Sequence, residues 1–226
     1  MHIGLIGGIG PAATDLYYRG LIARMKAAGV PLEATIVHAD APTLLRNFEA
    51  RDQGAQVEIF VALTERLKRA GADAVVITST GGHFCVAPFV EVSPLPVLNQ
   101  IDMLDEAVSA MGARKVGILG TDTVMATSFY GGLKRVEAVV PGSDWIARVH
   151  RAYADMAIAG FATEADQAFF VQAGQELVDQ GADLILLGGT DLFMVFDGRD
   201  VGYKTRDCAE IHLDGIAAWA VGAPGA

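Results

Sequence analysis

A chain of 226 residues, 52% of them hydrophobic, is long enough to bury two α/β cores of roughly 100 residues each. Its 27 acidic and 17 basic residues give a formal charge of −10, spread along the chain, which disfavours nucleic acid and anionic membrane as partners. Cys85 and Cys208 are the only cysteines, with no Cys-x-x-Cys pair and no clustered histidines, so neither a disulfide framework nor a zinc site is expected; the lack of a basic leader and of an 18-residue apolar span points to a cytoplasmic protein.

In chain order, a strand from His2 to Gly7 runs into Gly8-Ile9-Gly10-Pro11-Ala12-Ala13-Thr14. Pro11 suits the first turn of a helix, and the glycines before it let backbone amides turn toward an anion, so this helix start reads as a carboxylate or phosphate site or, with equal weight, as a plain tight turn. It is not the Gly-x-Gly-x-x-Gly pattern of a dinucleotide site. Ala34 to Ala39 reads as a second strand, and Asp40-Ala41-Pro42 as a loop that continues past Arg46 and Arg51, two arginines that could grip a carboxylate or simply lie in solvent. Phe60, Leu63, Leu67 and Ala70 recur at helical spacing, Gly71 ends that helix, and Ala74 to Thr78 is an apolar central strand.

That strand delivers Ser79-Thr80-Gly81-Gly82-His83 to its carboxyl end, where open parallel sheets bind ligands. His83 there could titrate near neutrality or cap and pack; Cys85, among apolar neighbours, reads as a small buried hydrophobe. Pro94 to Leu98 is expected to be a short edge strand, Asn99 to Met111 a helix stopped by Gly112, and Lys115 to Leu119 a strand. Gly120-Thr121-Asp122-Thr123 then caps a helix continuing through Met125 to Tyr130, with Thr127 and Tyr130 about one turn apart. Trp145 to Val149 reads as a strand and Tyr153 to Gly160 as a short helix. Phe169, Ala173 and Leu177 mark the buried face of the helix ending at Gly181, and Leu184 to Leu187 carries Gly188-Gly189-Thr190-Asp191 to the same sheet edge as Ser79 to His83. Asp207 with Glu210 forms a capping box for a final helix with Ile211, Gly215, Ala218 and Trp219 on one face, where His212 reads as structural.

Two motif pairs repeat in the same order. Gly71-Ala72-Asp73 before one apolar run returns as Gly181-Ala182-Asp183 before another, and Ile3-Gly4-Leu5-Ile6-Gly7 returns as Val116-Gly117-Ile118-Leu119-Gly120, both at an offset of roughly 110 residues. A duplicated α/β half is the expectation, with the site between the halves.

The residues 7–14 turn, the Thr121 to Tyr130 segment, Gly188-Gly189-Thr190-Asp191, and Asp207 with Ile211-His212 together resemble the cofactor-independent aspartate/glutamate racemase superfamily, over essentially the full length. The resemblance implies two pseudo-symmetric parallel-sheet (Rossmann-like) α/β domains with substrate in the cleft between them, residues 1–98 plus 207–226 forming one domain and 99–206 the other. It also implies two cysteines, one on each face of the substrate α-carbon. The family's Cys-Asn-Thr-Ala-His falls on Ser79-Thr80-Gly81-Gly82-His83 and its Gly-Cys-Thr-Glu on Gly188-Gly189-Thr190-Asp191, so both thiols are replaced; the Thr-x-x-Thr-x-x-Ser-x-x-Tyr run keeps Thr121 and Tyr130 but has Val124 and Thr127 between them. A hydroxyl is a far weaker acid than a thiol, and glycine offers no chemistry.

The catalytic positions implied are therefore Ser79, His83, Gly189 and Asp191, and the carboxylate-holding ones Gly8, Ile9, Gly10, Pro11, Thr80, Gly81, Thr121, Thr127 and Thr190. No cofactor and no metal are expected, and the partner is a small carboxylate or amino acid, with a homodimer as the oligomer. Two function classes stay open: an isomerase-like or lyase-like enzyme using His83, Asp191 or a water in place of a thiol, and a small-carboxylate-binding protein that has lost turnover.

Overall fold

The computed structural model describes residues 1–8, 11–159 and 161–222. The chain divides into two compact units, residues 1–100 joined by the segment from His212 onward, and residues 101–211. The first half runs β1 (His2–Gly7), α1 (Pro11–Ala28), β2 (Glu33–His38), α2 (Ala41–Ala50), α3 (Gln53–Arg69), β3 (Ala74–Ile77) and α4 (Val86–Val92). The second runs α5 (Gln100–Ala110), β4 (Lys115–Leu119), α6 (Asp122–Ala126), β5 (Glu137–Val139), α7 (Ser143–Ala159), α8 (Glu164–Asp179), β6 (Leu184–Leu187), α9 (Phe193–Phe196), β7 (Thr205–Asp207) and α10 (Cys208–Gly222).

Each unit holds one parallel sheet, ordered β2-β1-β3 in the first and β5-β4-β6-β7 in the second. The repeat read from the sequence recurs in the register: Ile3 pairs with Ala74 and Ile6 with Ile77, as Val116 pairs with Leu184 and Leu119 with Leu187. β3 and β6 are buried along their whole length because helices cover both faces, which is why they read as unbroken apolar runs. A β-carbon on Gly4 would come 2.8 Å from Leu67 Cδ1 and one on Gly117 2.9 Å from Leu177 Cβ, so in each unit the same glycine lets the same helix lie close on the central strand. Gly71 and Gly181, at φ 91° and 94°, turn the chain from that helix into the sheet.

Several elements differ from the sequence reading. Asp40 to Arg51 is a helix rather than a loop: Asp40 caps α2 by accepting from the Thr43 N–H at 3.0 Å, Pro42 fits its first turn, and Arg51 closes it in the left-handed region at φ 53°. Arg46 therefore lies on a helix and donates to Thr43 Oγ1 at 2.9 Å. Trp145 to Val149 is helical, because Trp145, Val149, Tyr153 and Met156 continue one stripe of α7 and Trp145 stacks on Phe169 of α8 with ring centroids 5.5 Å apart. The strand of that region is β5, only three residues long.

Pro94 to Leu98 makes a single bridge, Val75 with Val97, since its prolines bring no N–H to a longer ladder. The helix through Tyr130 stops at Ala126, and Ser128, Phe129 and Tyr130 turn left-handed at φ 48°, 55° and 58°. Smaller differences concern the helix faces. Phe170, not Phe169, is the buried aromatic of α8, Ala70 is an exposed cap, and α10 buries Ile211, His212, Leu213, Ile216 and Ala220 rather than Gly215, Ala218 and Trp219.

Asp207 accepts from the Ala209 N–H at 2.7 Å at the start of α10. Burial pushes its carboxyl up to about 7, against the pull of the Ala209 and Glu210 amides. A folded value above the unfolded one, 3.8, means stability that is full below pH 3.8 and is lost as pH rises through about 7. Asp207→Asn keeps a good cap and removes the buried charge, so it should stabilise the protein at pH 8 by on the order of 2–4 kcal/mol while leaving it near wild type at pH 4. Urea denaturation at the two pH values checks this; equal stability of the two proteins at pH 8 refutes it.

Candidate functional site

In the first unit the carboxyl ends of β1, β2 and β3 meet around Gly7 and Gly8. The Ala39 N–H donates to Gly7 O at 2.8 Å. Gly8 has φ 150°, and a β-carbon there would come 2.6 Å from Ala39 O, so backbone closeness requires glycine. Ile9 and Gly10 lie outside the described residues, and Pro11 opens α1. Thr14 on α1 and Thr78 after β3 bring their hydroxyls to 3.1 Å, and Thr78 Oγ1 also donates to Ile6 O at 3.1 Å. Neither threonine was singled out by motif, although both sit on the segments that were.

Beyond Thr78 the chain tightens into a 3-10 turn, Gly81–Cys85, through Gly82 N–H to Ser79 O and His83 N–H to Thr80 O, each 3.1 Å. Ser79 and Gly81 are half-buried and Thr80 is buried. Among the described residues the Ser79 hydroxyl makes no hydrogen bond, whereas its carbonyl accepts from His83 Nδ1–H at 2.8 Å. His83 is 1% exposed, and its Nε2 accepts from the Gln100 N–H at 3.4 Å. Both ring nitrogens are thus used by backbone, and burial lowers the ring's pKa to about 4 despite the Ser79 carbonyl, leaving it neutral at pH 7.

A second buried histidine continues the network. The Gln100 side-chain amide donates to Tyr17 Oη at 3.4 Å, Tyr17 O–H donates to His212 Nδ1 at 2.7 Å, and His212 Nε2–H donates to Leu98 O at 2.8 Å. Burial, the nearby His83 and the Leu98 carbonyl set the His212 pKa at about 3, the last working against the first two. Cys85 is buried with its thiol on Gly82 O at 3.6 Å, and burial pushes its pKa up to about 12; Cys208 is buried and its thiol is pushed up as well. Neither thiol is a resting thiolate at neutral pH.

In the second unit β4 and β6 end back to back at Gly120 and Gly188, where a β-carbon on Gly120 would come 3.1 Å from the Gly188 carbonyl carbon. Thr121 caps α6 by accepting from the Val124 N–H at 3.3 Å. Thr127 locks the left-handed run after it: its hydroxyl donates to Thr123 O at 2.6 Å and accepts from the Tyr130 N–H at 2.9 Å, with Phe129 fully buried. Gly189 leads into the 3-10 turn Thr190–Leu192, and Tyr153 O–H, from α7, donates to Asp191 Oδ2 at 2.9 Å. Sequence reasoning missed Tyr153, because nothing in the pattern of α7 marks which of its stripe residues meets a loop 36 positions on.

Among the described residues no group of three or more His, Cys, Asp or Glu is placed to hold a metal ion, and no helix is long and apolar enough to cross a membrane.

The profile of the Asp/Glu/Hydantoin racemase family matches residues 6–218. Among solved structures, a protein from Yersinia pestis provisionally named an Asp/Glu racemase is 25% identical, with TM-score 0.87 and coverage of 97% of this chain and 98% of that one. PH1733 of Pyrococcus horikoshii, an aspartate racemase homologue, is also 25% identical, with TM-score 0.81 and coverage of 98% and 99%. Glutamate racemase of Francisella tularensis, solved with D-glutamate, shares the fold at 13% identity and TM-score 0.61, covering 96% of this chain and 79% of that one.

Proposed function

We propose that this chain, which belongs to the Asp/Glu/Hydantoin racemase family, binds a small carboxylic or amino acid and moves a proton at its α-carbon without a cofactor. The reading takes residues 1–98 plus 207–226 as one domain and residues 99–206 as the other. The observation that carries the reading is the equivalence of the two strand-end loops: Ser79 to His83 follows β3 and Gly188 to Asp191 follows β6, and β6 pairs with β4 in the register in which β3 pairs with β1, the second sheet having β7 as an additional strand. Gly8 to Pro11 with Thr80, Gly81, Thr121, Thr127 and Thr190 form the carboxylate-holding set, Ser79 and position 189 flank the α-carbon, and Asp191 is the proton-accepting group that remains. His83 we read as the prop of the Ser79 loop, because both its nitrogens serve backbone. A cytoplasmic homodimer belongs to the same reading.

A second reading, a binder without turnover, is favoured by one observation: the chain's two thiols are buried and held protonated, so neither replaces the pair that the family uses. Incubation with L- and D-aspartate and glutamate in deuterium oxide separates the two. Enzyme-dependent loss of the α-proton signal is expected for the first, and saturable binding without exchange decides for the second.

A further inference from the structure

Gly189 has φ −131° and ψ 129°, extended backbone that any residue adopts, so its lack of a side chain is not a matter of conformation. Tyr153 is what excludes one. A β-carbon on Gly189 would fall 2.6 Å from Tyr153 Cζ and 2.8 Å from Oη, inside the closest approach of real atoms. The same phenol donates to Asp191 Oδ2 at 2.9 Å, while Asp191 Oδ1 has no hydrogen-bond partner among the described residues. Burial first, and the Asp191 charge second, raise the phenol's pKa, so it remains a donor through the neutral range.

We propose that Tyr153 stands in for the side chain of residue 189: its ring fills that volume, and its hydroxyl fixes the Asp191 carboxylate. What the loop after β6 then presents is a carboxylate anchored through one oxygen with the other free to accept. Such a group receives an ammonium or N–H and repels a second carboxylate. Tyr153 is in this sense a positioning and specificity-determining residue. The identity of the ligand rests on the function proposed above; the displacement of a side chain at 189 by Tyr153 does not.

The test is a melting cycle with a binding arm. Gly189→Ala should lower Tm by roughly 4–10 °C with Tyr153 present, the usual effect of overpacking, and by only ~1 °C in a Tyr153→Ala background. Tyr153→Phe keeps the ring and loses the bond to Asp191, so calorimetry should show L-aspartate binding weakened roughly 5-fold or more with succinate binding little changed. Tolerance of Gly189→Ala beside Tyr153, or an equal loss in both backgrounds, overturns the space-filling claim. Unchanged preference for L-aspartate over succinate in Tyr153→Phe overturns the positioning claim. If neither acid binds any of these proteins, the proposed function fails, and the melting cycle still decides the place of Tyr153.

Discussion

A chain carrying Ser79→Cys, Gly189→Cys and Tyr153→Ala together is expected to racemise aspartate or glutamate measurably, whereas the unaltered chain should show negligible two-base racemisation. Inversion needs a base on one face of the α-carbon and an acid on the other, and a serine hydroxyl with a glycine supplies neither at neutral pH. Thiols have a reference pKa of ~8.5, far below that of a hydroxyl, so cysteines at 79 and 189, the positions proposed to flank the α-carbon, would supply a base and an acid of the required kind. The third change is required by geometry, since a cysteine at 189 would drive its β-carbon to 2.6 Å from Tyr153 Cζ.

Gly189→Cys with Tyr153 retained should therefore be destabilised and inactive, and Ser79→Cys alone should exchange the α-proton for solvent deuterium on one face without inversion. Positioned acid–base groups contribute typically 10²–10⁴-fold, so a gain of roughly 10²-fold in α-proton exchange over the unaltered chain is the scale to look for. Efficient racemisation by the unaltered chain would falsify the assignment of residues 79 and 189. Equal activity of Gly189→Cys with and without Tyr153→Ala, on a Ser79→Cys background, would remove Tyr153 from the argument.

Much of the scaffold was legible because its central strands are short apolar runs bounded by glycines, and a duplicated motif order fixed which runs correspond. β1, β3, β4 and β6 have that character, and their helices carry apolar residues at helical spacing. β5 and β7 do not. Each is three residues long and at most half-buried, so neither alternation nor an apolar run marks it. Trp145 to Val149 misled for the converse reason, being rich in residues that favour strands yet part of a 17-residue helix whose stripe becomes visible only over its full length.

The candidate site was legible as loops and not as partners. Ser79, Thr80, Thr121 and Gly188 to Asp191 announce themselves as hydroxyls and glycines after strands. Which side chain meets Gly189, and where the nitrogens of His83 point, depend on packing between elements far apart in sequence. A glycine with extended backbone is the clue to Tyr153, and only the fold reveals that backbone.

The buried histidines lead to the other large effect, acid opening of the first unit ahead of the second. His83 and His212 have folded values of about 4 and about 3 against an unfolded 6.5, both depressed mainly by burial. Below pH 6.5 the unfolded chain takes up two protons that the folded unit refuses, so stability present above that pH is lost as pH falls toward 4. Each histidine contributes a slope of about 1.4 kcal/mol per pH unit in that window. Their ring centroids are 6.0 Å apart, so the two protonations belong to the pair rather than to either ring. Asp207, with its raised value, acts in the opposite direction, but it sits at the start of α10 in the second unit.

Amide hydrogen exchange, corrected for its intrinsic pH dependence, should therefore show β1, β3 and the His212 turn of α10 losing protection between pH 6.5 and 4 while β4 and β6 keep theirs. His83→Gln lowers the starting stability by disturbing the Ser79 loop, yet it should also flatten the acid limb by the slope of one proton. That slope is the decisive quantity, because a purely structural loss shifts the level and leaves the slope alone. Protection in β1 and β3 that stays flat from pH 6.5 to 4 would show that the two rings accept protons in place, and the polar chain from Ser79 through His83, Gln100 and Tyr17 to His212 would then lose its role as the acid-sensitive part of this unit.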